Sequence, residues 1–98
     1  IQTIRARASE WKIDPARIGI LGFSAGGHLA ATVSNQVVAA DANATDAVLK
    51  VSSRPDFSVL IYPVTTFDPA VGHSGSKNAL IGKDATPDLV QRYSNDLQ

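Results

Sequence analysis

Apolar side chains recur along the chain with two different periods, and the switches between them outline its elements. Ile1, Ile4, Ala8 and Trp11 stand three and four residues apart, with Arg5, Arg7, Glu10 and Lys12 between them. That spacing predicts one amphipathic helix over 1–12 with its cations on a solvated face. Asp14-Pro15 ends it, because the proline ring removes a donor and disfavours helix at the residue before it. Arg17 to Phe23 is a short apolar run bounded by turn residues. Its neighbouring apolar positions predict a strand buried on both faces. Helical period returns from Ala25 to about Ala40, with Leu29, Val33, Val37 and Ala40 on one stripe. Gly26, Gly27, Ala30 and Ala31 are small enough to let that helix lie close against a sheet. Asp41 to Ser53 is a polar connector in which 44–49 predicts a weak turn of helix. Phe57 to Tyr62 predicts a second strand, introduced by Arg54-Pro55-Asp56 and stopped by Pro63. Residues 63–85 are rich in Gly, Pro, Ser and Thr and predict a long loop, of a kind that is generally functional or mobile. Thr86 as N-cap and Pro87 at the first helical position open a last helix carrying Leu89, Val90 and Tyr93.

The resulting order is helix, strand, helix, strand, loop, helix. Two strands joined through a helix form a right-handed βαβ crossover of a parallel sheet, which makes the fold class α/β. Strands of this kind need further paired neighbours, so the sheet implied by the pattern is incomplete. The 98 residues fit one small domain with no internal boundary. An apolar fraction of 44% with 18% charged residues is ordinary globular usage and argues against disorder. Nine basic and nine acidic side chains leave no surplus to neutralise phosphates or an anionic membrane, so neither nucleic acid nor membrane is an expected partner. The absence of cysteine excludes disulfides, thiolate zinc sites and a thiol nucleophile. No apolar run approaches the roughly 20 residues of a membrane-spanning helix, and no signal-peptide pattern is present, so the compartment stays open. A chain that starts at Ile1 and contains no methionine is expected to be a piece of a longer one.

One motif carries chemistry. Gly22-Phe23-Ser24-Ala25-Gly26 matches G-x-S-x-G, in which a serine sits on a sharp strand-to-helix turn with its hydroxyl above the sheet. The glycines two before and two after the serine are expected to leave room where side chains would collide. The N–H of Ala25 stands at a helix N-terminus, where free donors and the helix dipole favour the negative charge of a tetrahedral intermediate. A pattern this short arises by chance in roughly a few per cent of chains of this size. The bland alternative is a glycine-rich turn whose serine caps the helix. The strand before the motif and the close-packing helix after it favour the chemical reading.

The run Ile18 to Ala30, IGILGFSAGGHLA, resembles the elbow region of α/β-hydrolase esterases, in particular the bacterial acetyl-esterase and acetyl-xylan-esterase-like group. Arg54-Pro55-Asp56-Phe57 leading into Leu60-Ile61-Tyr62-Pro63, His73-Ser74-Gly75-Ser76 and Ala79-Leu80-Ile81-Gly82 extend the resemblance over nearly the whole chain. It implies a partial α/β-hydrolase fold in which 1–98 is the central segment of a single domain. It implies Ser24 as acyl-accepting nucleophile, Ala25 N–H as one half of the oxyanion hole, and Gly22, Gly26 and Gly27 as elbow glycines. The implied substrates are small carboxylic esters, often acetyl groups on carbohydrates, and no cofactor is implied. The HGGG-type loop that supplies a second oxyanion donor has no counterpart here, and the triad acid and histidine would lie downstream. A peptidase or amidase of the same fold, or a non-catalytic binding module, are the alternatives.

Asp68 and His73 follow Ser24 in the triad order and are candidate acid and base. Five residues apart, they are hard to place on opposite sides of one imidazole. His28, one turn into the helix, is expected to brace the elbow through a buried hydrogen bond. Asp56, Asp84 and Asp88 read as turn and cap residues, and their spacing suggests no metal-ligand cluster. Trp11 and Tyr62 read as core or sheet-end packing. The glycines of 72–75 lack the ending of a phosphate loop.

Overall fold

The computed structural model describes all residues, 1–98. The expected N-terminal helix forms as two short pieces, α1 (Gln2–Ala6) and α2 (Ala8–Trp11), with a break at Arg7. Lys12 ends α2 in a left-handed conformation. Strand β1 (Gly19–Phe23) follows and passes directly into helix α3 (Ser24–Asn35). Helix α3 stops earlier than its apolar stripe predicts. Beyond Gln36 the chain extends, and Val38 accepts from Ser53 N–H at 2.9 Å and donates to Ser53 Oγ at 2.7 Å. Residues 44–49 hold turns and no helix. Strand β2 (Phe57–Ile61) pairs with β1 in parallel, with Gly19 opposite Phe57 and Phe23 opposite Ile61. The loop expected over 63–85 contains helix α4 (Ser74–Ile81), and α5 (Pro87–Tyr93) starts at Thr86 and Pro87 as predicted.

Alternation along the strands decides which side chains meet α3. Ser58 faces the helix, its hydroxyl 2.7 Å from Ser34 Oγ, so its register partner Ile20 and the next pair on that face, Gly22 and Leu60, do so too. The opposite face carries Leu21, Phe23, Phe57 and Val59, all exposed. The expectation of strands buried on both faces is therefore corrected: α3 covers one face, and no other element lies over the second. Trp11 and Tyr62 are also exposed, not packed in the core. Trp11 lies beneath Arg7, and Tyr62 leans on Phe23 with ring centroids 6.0 Å apart.

The cations of the first helix do not all face water. Arg5 donates to the carbonyl oxygens of Pro15, Ser52 and Arg54 and pairs with Asp56 at 2.7 Å. Asp56 also accepts from Ile18 N–H at 2.8 Å. One guanidinium thus ties α1 to the segments that enter both strands. The Ile18 hydrogen bond holds the Asp56 carboxyl below its ordinary value of 3.8; desolvation opposes the shift, and Arg5 adds to it.

Candidate active site

Ser24 is the first residue of α3 and follows Phe23, whose backbone is still extended. Its φ of +49° is left-handed, so the chain reverses within one residue. The hydroxyl-bearing residue is exposed at the strand end. Ala25 comes next, in the first turn, where backbone donors have no acceptor within the helix. Tyr62 makes a similar left-handed turn after β2, with φ +38°. Both strands therefore leave the sheet at the same level.

The room around the elbow is distributed differently from the motif's symmetry. A Cβ on Gly22 would stand 2.1 Å from the Gly26 carbonyl oxygen and 2.8 Å from Gly27 N. A Cβ on Gly27 would meet Pro63 at 2.8 Å, where α3 passes the exit of β2. Gly26, by contrast, has open space where a side chain would go, so its expected steric role is corrected. The close approaches belong to Gly22 and Gly27.

The elbow is braced from behind. Val64 N–H donates to Ser24 O at 3.2 Å, and Val64 O lies 2.9 Å from His28 Nδ1. Asn95 Nδ2 also lies 3.0 Å from that ring nitrogen. A carbonyl only accepts and an amide NH2 only donates, so Nδ1 satisfies one of them. The Asn95 amide hydrogens already have acceptors in His28 O and Thr32 Oγ1, both at 3.1 Å. The consistent assignment places the proton on Nδ1, donated to Val64 O. His28 is buried, with its ring 4.8 Å from that of Phe67, and its Nε2 has no partner. Phe67 is held in turn by Ser94, whose Oγ accepts from Phe67 N–H at 2.9 Å and donates to Val90 O at 2.7 Å. The sequence marks His28 but not Val64, Thr32, Phe67, Ser94 and Asn95, which act through backbone groups or from distant positions where no local pattern shows them.

His73 is the N-cap of α4. Its Nδ1 accepts from Ser76 N–H at 3.1 Å and lies 2.9 Å from Ser76 Oγ. A backbone N–H can only donate, so in the uncharged ring the proton sits on Nε2. A triad base has the reverse arrangement, with Nδ1–H donated to the acid and Nε2 left to accept from serine. Asp68 caps its own turn, its Oδ1 accepting from Ala70 N–H at 2.8 Å. No hydrogen bond or ion pair joins Ser24, Asp68 and His73. His73 does share a space with the elbow: a cavity of about 530 Å³ between α3, α4 and α5 is lined by Ala25, His28, Phe67, His73, Leu80 and Tyr93, among others.

Comparison with known proteins places this geometry in a family. A model described as alpha/beta hydrolase fold matches residues 1–97. The chain is 37% identical over 93 residues to an acetylxylan esterase of Xylanibacter ruminicola, covering 93% of this chain and 17% of that protein. It is 31% identical over 98 residues to endo-1,4-beta-xylanase B of Butyrivibrio fibrisolvens, covering 100% of this chain and 15% of that one. Among solved structures, an acetyl ester-xyloside bifunctional hydrolase from Caldicellulosiruptor lactoaceticus superposes with a TM-score of 0.89 at 44% identity, covering 98% of this chain and 35% of that chain. The chain thus spans less than a fifth of the two curated relatives and about a third of the solved one. With a serine on a left-handed strand-to-helix turn and a parallel βαβ unit behind it, this chain belongs to the α/β-hydrolase fold family.

Proposed function

We propose that residues 1–98 are the central, nucleophile-bearing segment of a longer α/β-hydrolase domain that hydrolyses small carboxylic esters, chiefly acetyl groups on carbohydrates. The observation that carries this reading is the left-handed Ser24 between β1 and α3. The esterase and xyloside activities named for the relatives support the substrate class. In the parent protein Ser24 Oγ attacks the ester carbonyl, its proton passing to a histidine outside this segment. Ala25 N–H donates to the oxyanion, the alcohol leaves, and water releases the acid from the acyl-enzyme. In this reading neither His73 nor Asp68 serves as base or acid: no hydrogen bond joins them to each other or to Ser24, and His73 Nδ1 accepts from Ser76 N–H.

A fluorophosphonate probe is expected to label Ser24 of the parent protein, and Ser24→Ala to abolish labelling and lower kcat on 4-nitrophenyl acetate by at least about 10⁴-fold. Labelling elsewhere, with activity kept in Ser24→Ala, refutes the assignment. A folded parent that neither labels nor turns over ester is a binding module instead.

A further inference from the structure

We propose that the cavity between α3, α4 and α5 receives the sugar side of the ester, and that His73 is a specificity-determining hydrogen-bond donor within it. This inference rests on the esterase reading above and extends it to the leaving group. Three observations carry it. The cavity borders Ala25, so whatever occupies it lies against the residue beside the nucleophile. Its volume of about 530 Å³ falls within the roughly 300–1,000 Å³ of small-molecule sites, far more than a two-carbon acyl group fills. Finally, an imidazole of fixed tautomer lines it: His73 keeps its proton on Nε2 because Ser76 N–H occupies Nδ1.

A wall with one fixed donor, set among Phe67, Tyr93 and Leu80, matches the chemistry of a carbohydrate. Such a ligand has hydroxyls that both donate and accept, on a ring whose C–H faces pack against aromatic and aliphatic side chains. The fixing of His73 goes beyond what capping requires. A Cβ on Gly75 would stand 3.0 Å from His73 Cε1, so the ring lies over the glycine while Ser76 holds its Nδ1. A serine or aspartate caps a helix equally well without an imidazole. The His73-x-Gly75-Ser76 spacing therefore serves to position a ring.

The test compares kcat/KM on a mono-acetylated methyl β-xyloside with kcat/KM on 4-nitrophenyl acetate, using the parent protein. The ratio of the two does not depend on the fraction of enzyme folded. His73→Ser keeps a cap acceptor for Ser76 N–H and removes the Nε2 donor. It should lower the xyloside-to-nitrophenyl ratio by about ten-fold, mainly through KM on the xyloside, as expected for one lost hydrogen bond to substrate. Leu80→Trp, at an exposed wall position, should lower the same ratio by filling the cavity. An unchanged ratio in both variants, or equal losses on both substrates, overturns the inference. If Ser24→Ala keeps its activity, the esterase assignment itself has failed, an outcome separable from a failure confined to the His73 and Leu80 ratios.

Discussion

Ser24 holds a backbone conformation that costs a non-glycine residue about 1–3 kcal/mol, so its surroundings must enforce it. Gly22 does so by letting the first turn of α3 close onto β1. Gly22→Ala drives a Cβ into backbone, which has no rotamer to yield, and is expected to destabilise the parent protein by more than about 3 kcal/mol. Gly26→Ala is expected to stay within about 1 kcal/mol of wild type, because the site is open and alanine is the better helix former. Denaturant midpoints of the two variants check the contrast. Equal losses would show that the motif's symmetry, not the packing, governs the turn. At position 73 one donated backbone N–H fixes which ring nitrogen carries the proton, and so separates a cap from a catalytic base.

Among the elements, the link from α1 to the strand entrances is the one with a pH signature. Asp56 is held below 3.8 by Ile18 N–H first and by Arg5 as well. A carboxylate with a lowered folded pKa contributes stability that is fully present above its unfolded pKa and lost as pH falls through the folded one. Asp56→Asn should therefore lower the Tm of the parent protein at pH 7, and the gap to wild type should narrow below about pH 4. Tm measured from pH 7 to pH 2.5 checks this, and a gap that widens in acid contradicts it. The same region shows what the sequence could and could not disclose. Both strands, the elbow, the start of α3 and the Thr86-Pro87 start of α5 were legible because local chemistry marks each of them. The break at Arg7 was not, since the apolar spacing runs through it unbroken. Nor was the role of Arg5, whose acceptors lie at residues 15 and 52–56. Helix α4 was hidden in an apparent loop because histidine is not among the usual caps, and its apolar residues gather only at its end, Ala79 to Ile81.

Over the whole molecule, burial is sparse. Ten of the 98 residues are buried, and the radius of gyration is 15.7 Å against about 13 Å for a compact chain of 100 residues. The molecule measures 46 × 27 × 19 Å and leaves the Leu21–Phe57 face of its sheet bare. Residues 1–98 expressed alone are therefore expected to lack a cooperative thermal transition and to bind a hydrophobic dye such as ANS. They are also expected to show little or no turnover of 4-nitrophenyl acetate, since the loss of one oxyanion donor alone costs about 10²–10³ in rate. Calorimetry, dye fluorescence and a nitrophenol assay check this together. A sharp transition, or rapid hydrolysis lost on Ser24→Ala, would make this segment self-sufficient.

The bonds at Val64 carry a consequence for sequence drift. The N–H toward Ser24 and the C=O toward His28 both belong to the main chain, so every side chain at position 64 presents the same pair of groups. Substitution there can alter packing but cannot delete either contact, with proline the sole exception because it has no N–H to offer. The support of the turn at Ser24 is in this respect written in the backbone, where nineteen of the twenty residue types spell it alike.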